Sequence, residues 1–271
     1  MVYIKKNMQI SEVPAYVICL ERKKEERCDV NFDSIKQIFP KAIRTEAVDA
    51  KELDSDDDNI SIYARYHIQT KVDTDYMHMG SLGGVGCVMS HANIWKKVVK
   101  TNTPSIVVED DMFVTEENAK IIQQAYAEIP KDSHYASIIH LPWPGSKLYN
   151  PNHTYQLIDS REAIAGCQMY YITPKCAKLF LKHVYPIVSH ADVFVAYMAV
   201  VYPELKAVYY ANAKLYPFFN FLRDDFASTI KHDKYIKKIL PESNSFYICI
   251  IIINIIMLTS IVILLCNRNK K

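Results

Sequence analysis

Several patterns that define common protein classes are missing from this sequence. Only six of its 271 residues are glycine, and no G-X-Y repeat occurs, which excludes a collagen-like chain. The formal net charge is only +2 and half of the residues are hydrophobic, which excludes a disordered chain. No cluster of basic residues suits nucleic-acid phosphates, so we expect no nucleic-acid partner. The GxSxG elbow of hydrolases and the lysine-bearing P-loop are also absent.

Cysteine usage gives no sign of a structural framework. The chain has seven cysteines but no C-x-x-C pair, so a structural zinc motif is not expected. Two of the cysteines fall in or at the end of a C-terminal apolar run. The odd number that remains in the rest of the chain favours reduced thiols.

Charge is absent from residues 246–266, an apolar run long enough for a membrane-spanning helix. The N-terminal sequence lacks the pattern of a signal peptide, because its apolar stretch is short and broken by Glu12 and Pro14. We therefore expect a single-pass protein with a C-terminal anchor and a cytosolic body. Cations flank the run on both sides, so they do not decide its orientation.

Short apolar runs rich in β-branched residues alternate with helical patterns through the rest of the chain. Strands are predicted at residues 16–20, 43–48, 105–108, 135–141 and 206–210. Helices are predicted at residues 31–39, 87–99, 116–129 and 191–201, with a further start at Thr173-Pro174. This alternation predicts an α/β fold with a mostly parallel central sheet.

Three adjacent carboxylates, Glu109, Asp110 and Asp111, follow the predicted strand SIVV. Ligands of open α/β sheets bind beyond the carboxyl ends of the strands. Oxygen ligands of this kind suit Mg²⁺ or Mn²⁺. The alternative is a solvated loop whose charges favour the start of the next helix.

The order of several segments resembles glycosyltransferase family 25, which includes lipooligosaccharide and collagen β-galactosyltransferases. The most specific segment is GGVGCVMSHANIW, which resembles the family's G-x-[IV]-G-C-x-x-S-H-x-x-[IL]-W motif. The other matching segments are VICLERKKEER, AVDAKEL, IVVEDDMFV, AGCQMYYITPKCAKLFL, HADVFV and RDDFASTI. Gly84 departs from the family, which often has glutamate there.

The resemblance implies a GT-A-like fold and an inverting transfer of galactose or glucose from a UDP-hexose to a glycan, lipid or protein acceptor. It implies that Glu109, Asp110 and Asp111 hold Mn²⁺ or Mg²⁺, which neutralises the diphosphate leaving group. Donor-contacting residues are then expected among Arg22, Arg27, Ser90 and His91. For the arginines the alternative is a solvated charged loop, and for His91 it is a structural role.

Inversion needs a base that takes the proton of the acceptor hydroxyl. Asp192 is the first candidate, and Asp225, with its neighbour Asp224, is the next. For Asp192 the alternative is a charge at a helix N-terminus.

The resemblance, which covers about residues 14–230, and the composition of the rest of the chain together set the expected domain boundaries. An N-terminal extension covers residues 1–13, the transferase domain residues 14–230 and a basic linker residues 231–245. The membrane helix at 246–266 and a cationic tail at 267–271 follow. Two other functions stay open: an inactive relative that binds a glycan or a partner at the membrane, and a metal-dependent hydrolase using the same carboxylates.

Overall fold

The computed structural model describes residues 9–71, 78–112, 114–141, 155–159 and 165–211. All of them belong to the first of two units, residues 1–230, whereas the second unit lies outside the described residues. The predicted membrane span and Asp225 also lie outside them. Within the part of the chain that the structure describes, no helix has the length and apolarity to cross a membrane.

A seven-stranded sheet forms the centre of the described residues. Its strands are β1 Ala15–Cys19, β2 Ala42–Glu46, β3 Ser105–Glu109, β4 Tyr135–Leu141, β5 Tyr155–Leu157, β6 Ala165–Ile172 and β7 Val208–Tyr210. Their order is β2-β1-β3-β6-β4-β7-β5. Strands β5 and β6 are antiparallel to their neighbours, and the other five run in one direction. The predicted mostly parallel α/β sheet is confirmed, and the arrangement fits a GT-A-like fold.

Four of the six α-helices among the described residues begin just after a serine or threonine that caps them. The helices are α1 Asp29–Ile38, α2 Ile62–Thr70, α3 Leu82–Thr101, α4 Glu116–Ala127, α5 Pro174–His183 and α6 Ala191–Val201, and the capped ones are α2 to α5. The hydroxyl of Thr115 accepts the backbone N–H of Asn118, and that of Thr173 accepts the N–H of Cys176. Each hydroxyl satisfies an N–H that the first helical turn leaves without a partner. The predicted starts of α4 and α5 are therefore confirmed.

Two apolar clusters cover the two faces of the sheet. Tyr16 and Ile18 of β1 pack into the cluster that contains residues of α3, α5 and α6. Val17 and Cys19 of the same strand pack into the cluster that contains residues of α1 and α4. Successive residues of a strand face opposite sides, so helices on both faces bury β1 completely. This explains why β1 is a continuous apolar run.

Three features differ from the sequence prediction. Helix α3 begins at Leu82 and not at the predicted residue 87, so it includes most of the glycine-rich stretch GSLGGVG at residues 80–86. Helix α2 and strands β5 and β6 were not predicted. Cys19 and Cys28 form a disulfide, so the expectation of reduced thiols is wrong for this pair. The disulfide joins the end of β1 to the end of the segment that follows it.

Candidate active site

The parallel strands β1 and β3 end side by side and place their following residues at one edge of the sheet. Ile18 of β1 is in register with Glu109 of β3. A cavity of about 120 Å³ lies at this edge. Its lining includes all seven residues predicted to bind the donor or the metal: Arg22, Arg27, Ser90, His91, Glu109, Asp110 and Asp111. The structure thus brings together residues that are up to 89 positions apart in the chain.

Asp110 ties the edge of the sheet to its surroundings. Its Oδ2 accepts the backbone N–H of Leu20 at 3.0 Å, and its carbonyl oxygen accepts the Asn31 side-chain amide at 2.8 Å. Burial raises the pKa of Asp110, while the N–H of Leu20 and the charge of Arg27 oppose that rise. Asp110 therefore holds the segment after β1 against the end of β3.

Asp111 is in a less favourable environment. Its Oδ1 is inaccessible to solvent and makes no hydrogen bond with any described residue. Burial, together with the like charges of Glu109 and Asp110, raises its pKa to about 8. The positive charge of Arg27 opposes this rise. An oxygen in this position favours a bound cation or a retained proton.

Glu109 is oriented by a chain of hydrogen bonds from the protein interior. His91 Nε2 lies 3.1 Å from Glu109 Oε1, and His91 Nδ1 lies 2.9 Å from the Tyr170 hydroxyl. The Trp95 indole N–H donates to that same hydroxyl at 2.9 Å. Because the indole only donates, the Tyr170 proton is available to Nδ1, and Nε2–H can then donate to Glu109. The buried ring of His91 thus fixes the position of the carboxylate.

The two arginines border the cavity in different ways. Arg22 Nε donates to Asp49 Oδ2 at 2.7 Å. The pKa of Asp49 is lowered, first by the backbone N–H of Lys51 and then by Arg22. Arg27 is buried, and its charge partly opposes the rise in the pKa of both Asp110 and Asp111. The cavity therefore combines carboxylates with guanidinium groups at short range.

Helix α3 fixes the opposite wall through Ser90 and Gly86. The Ser90 hydroxyl accepts the backbone N–H of Val48 at 2.8 Å and donates to the Gly86 carbonyl at 2.6 Å. A Cβ atom on Gly86 would lie 2.7 Å from the Val48 carbonyl oxygen. Helix α3 can approach the backbone of Val48 only because residue 86 has no side chain. The absence of a side chain at residue 86 thus sets how closely α3 packs against the Val48 segment.

A second group of ligand atoms lies along the same wall. Sulfur, nitrogen and oxygen atoms of Cys87, His91 and Glu109 lie within 4.8 Å of one another. Burial raises the pKa of the Cys87 thiol, and the charges of Glu109 and Asp192 add to the rise. Cys87 was not predicted as a site residue, although it belongs to the same sequence motif as Ser90 and His91.

Asp192, the predicted base, lies in the first turn of α6 and does not line the cavity. Its Oδ2 accepts the N–H of Gly166 at 2.5 Å, and its Oδ1 accepts the N–H of Val193 at 2.8 Å. Gly166 has φ = 81°, a conformation that favours glycine. Asp192 thus links α6 to the start of β6. Its catalytic role, like that of Asp225, stays a prediction.

Sequence reasoning missed three residues that organise the site. Asp49 pairs with Arg22, Asn31 holds Asp110, and Tyr170 joins Trp95 to His91. Asp49 and Tyr170 lie in segments that resemble the family, AVDAKEL and AGCQMYYITPKCAKLFL, but those matches carried no role. Asn31 has no such signal, because its role depends only on tertiary contacts.

The fold and the cavity define a mixed α/β domain with an acidic, arginine-bordered site beyond the carboxyl ends of parallel strands. Residues 12–195 match the model of glycosyltransferase family 25, described as an LPS biosynthesis protein. The chain belongs to glycosyltransferase family 25. It is also 33% identical over 114 residues to a protein of Aedes aegypti named as a glycosyltransferase 25 family member. That match covers 40% of this chain and 17% of the relative.

Proposed function

We propose that this chain transfers galactose or glucose from a UDP-hexose to a hydroxyl of a glycan, lipid or protein acceptor, with inversion. One observation carries the proposal: three carboxylates, two arginines, Ser90 and His91 all line the same cavity. A nucleotide sugar carries a diphosphate, so its site needs positive charge or a cation shared with carboxylates. The family of the chain supports the same reaction class.

The residues present fit a divalent cation. Asp111 has a buried oxygen without a hydrogen-bond partner among the described residues, and two like charges lie beside it. Oxygen donors of this type suit Mn²⁺ or Mg²⁺. Asp111 and Glu109 would hold the ion, with Asp110 fixing the backbone between them. When bound, the ion supplies charge neutralisation to the departing diphosphate.

The arginines are proposed to bind the donor. Arg guanidinium groups suit bidentate contacts with phosphate oxygens. Arg22 keeps its orientation through Asp49, and Arg27 is held in the wall beside the carboxylates. Ser90 holds the backbone of Val48 in the lining, and His91 holds Glu109. These contacts pre-position the site before the donor arrives.

Asp192 is proposed as the base, with Asp225 as the alternative. A base takes the acceptor proton as the hydroxyl oxygen attacks the anomeric carbon and the bond to the diphosphate breaks. Asp192→Asn should then lower kcat and leave UDP binding unchanged.

The apolar run at residues 246–266 is proposed to attach the chain to a membrane. Carbonate extraction of membranes from expressing cells tests this, with a variant lacking residues 246–266 as the control.

The central test is release of UDP from a panel of UDP-hexoses, with and without Mn²⁺ or Mg²⁺ and with candidate acceptors. We expect cation-dependent turnover with one donor. Cation-dependent UDP binding without turnover would instead indicate an inactive relative. Phosphate release without an acceptor would indicate a hydrolase, and no cation-dependent UDP binding would refute the assigned site.

A further inference from the structure

We propose that Cys87, His91 and Glu109 form a binding site for a thiophilic divalent cation such as Zn²⁺, separate in chemistry from the carboxylate site for Mn²⁺ or Mg²⁺. Their ligand atoms, one sulfur, one nitrogen and one oxygen, lie within 4.8 Å of one another. Three protein ligands and one open position are typical of reactive zinc sites. The inference does not depend on the transferase activity.

The fold explains why these three side chains converge. Cys87 and His91 are four residues apart on α3, so they lie on the same face of the helix. Glu109 ends β3, and its carboxylate is already 3.1 Å from His91 Nε2. Such a separation is close to the spacing of neighbouring ligands around one metal ion, because Zn–N and Zn–O bonds are about 2.0–2.2 Å.

The surroundings also suit a metal-bound histidine. A histidine ligand usually has an oxygen partner on its other ring nitrogen. His91 Nδ1 lies 2.9 Å from the Tyr170 hydroxyl oxygen, so metal binding at Nε2 would leave the ring proton on Nδ1, which would donate it to that oxygen. The Tyr170 hydroxyl is itself held by the indole of Trp95. The imidazole therefore has a fixed orientation, which lowers the entropy cost of binding a metal.

The ligand set selects a different cation from the one in the proposed transferase site. A thiolate and an imidazole favour Zn²⁺ or Co²⁺ over Mg²⁺, whereas carboxylates alone favour Mg²⁺ or Mn²⁺. All three side chains border the cavity, which leaves the fourth position open to it. Glu109 belongs to both sets, so occupation of the thiophilic site should weaken binding of the hard cation.

Titration of metal-free, full-length protein with Co²⁺ tests the site directly. We expect one equivalent to bind and to produce a thiolate-to-cobalt charge-transfer band, which Zn²⁺ then abolishes by displacement. Cys87→Ser should remove the band, and His91→Ala should weaken Co²⁺ binding at least 10-fold. Cys176→Ser is the matched control, because Cys176 is a free, buried cysteine outside this group. It should leave the band unchanged.

A second measurement avoids reliance on variants that could misfold. Zn²⁺ should protect Cys87 of the wild-type protein from alkylation, as measured by mass spectrometry of the peptide that contains it. Cys167 and Cys176 provide internal references in the same experiment. Bound Co²⁺ without a thiolate band, or alkylation of Cys87 at the same rate with and without Zn²⁺, would overturn the proposal. Neither measurement uses a sugar nucleotide, so its failure leaves the proposed transferase function untouched.

Discussion

Asp192 is buried and Asp111 is half-buried, and the surroundings of the two carboxylates differ sharply. Asp192, at the start of α6, accepts backbone N–H groups on both oxygens. Asp111, just after β3, has one oxygen without a hydrogen-bond partner among the described residues and has like charges beside it. Buried carboxylates are stable when hydrogen bonds or opposite charges compensate the lost hydration. The cost of removing the carboxylate from water is therefore compensated by hydrogen bonds at Asp192, whereas at Asp111 it is compensated only in part.

This difference separates a carboxylate whose position backbone hydrogen bonds fix before any ligand arrives from one that is poised for a cation. The hydrogen bonds of Asp192 join α6 to β6 whether or not a substrate is bound. The negative charge around Asp111 is not fully compensated, and a bound cation can neutralise it. This comparison supports the proposal that the edge of the sheet after β3 binds the ligand. The predictions below test the contrast.

The largest expected effect is that of Asp111→Asn on cation-dependent UDP binding. Loss of a charged metal ligand should weaken Mn²⁺-dependent UDP binding by about 100-fold or more, because even outer partners of metal ligands are worth about 10–100-fold. Asp192→Asn should keep that affinity within about 2-fold and lower kcat by about 10²–10⁴-fold, the contribution of a general base. Calorimetry of UDP and Mn²⁺ binding, with turnover measured in parallel, checks both variants.

Equal losses of UDP affinity in the two variants would contradict the assignment of cation binding to Asp111 and not to Asp192. Circular dichroism and the urea midpoint of each variant would show whether Asp192→Asn instead disturbs the link between α6 and β6. Normal kcat in a folded Asp192→Asn protein would remove Asp192 as the base.

The next effect contrasts two glycines of α3. A Cβ on Gly86 would lie 2.7 Å from the Val48 carbonyl oxygen, which belongs to the backbone of the cavity wall. A Cβ on Gly84 would lie 2.6 Å from Met79 Sδ, the far part of a flexible side chain, and 3.0 Å from His190 Cε1. We expect Gly86→Ala to lower the free energy of unfolding by about 1–3 kcal/mol through overpacking.

Gly84→Ala should cost less, because Met79 can adopt another rotamer whereas the Val48 backbone cannot move away as easily. The gain in helix propensity of about 1 kcal/mol over glycine is common to both substitutions. Urea denaturation of both variants measures the difference. Gly86→Ala should also weaken UDP binding, since the Val48 segment lines the cavity. Equal stabilities would show that α3 shifts without strain.

The position of the three carboxylates at the edge of the sheet could be predicted from the sequence alone. Glu109, Asp110 and Asp111 follow an apolar run that predicts a strand, and a strand end is a local property. Strand β4 was predicted with its observed bounds, and so was α6. The family resemblance assigned Arg22, Arg27, Ser90 and His91 to the site.

Long-range side-chain contacts could not be predicted in this way. Asn31 and Asp110 meet across 79 positions, and so do His91 and Tyr170. No local pattern specifies such a pair, since many polar residues in α1 or β6 fit the same periodicity. The Cys19–Cys28 disulfide was missed because a count of cysteines says nothing about their separation in space.

A smaller effect is expected for Tyr170→Phe. Removal of the hydroxyl leaves the buried Trp95 N–H and His91 Nδ1 without their shared partner. The expected loss is about 1–2 kcal/mol of unfolding free energy, the usual cost of an unsatisfied buried polar group. Tyr135→Phe is the matched control, because its ring stacks on Tyr170 and its hydroxyl has no nitrogen or oxygen partner among the described residues. Urea denaturation should show little change for Tyr135→Phe, and equal losses would refute the hydrogen-bond chain.

The smallest effect is a pH dependence at the region around Asp192. Burial lowers the pKa of His190, and Asp192 only partly opposes this. His190 is the N-cap of α6, where a positive charge is also unfavourable to the helix dipole. The folded state therefore binds this proton less readily than the unfolded state does. The contribution of His190 to the free energy of unfolding is therefore fully present above pH ~6.5, the ordinary histidine pKa. It is lost as the pH falls through that value towards the lower pKa of the folded state.

The unfolding free energy of the wild-type protein should therefore fall as the pH is lowered from about 7 to about 5, to an extent set by the difference between the unfolded and folded pKa of His190. His190→Gln removes the titration and should flatten that part of the profile. His134→Gln is a useful comparison, because the pKa of His134 is also lowered by burial, but this side chain is only half-buried and lies beside Lys175. Its contribution should be smaller, since water screens a half-buried charge. If His190→Gln left the slope unchanged while His134→Gln flattened it, the pH sensitivity would belong to the region where β4 and α5 begin. The contrast between the environments of Asp111 and Asp192 would then not extend to the histidine beside Asp192.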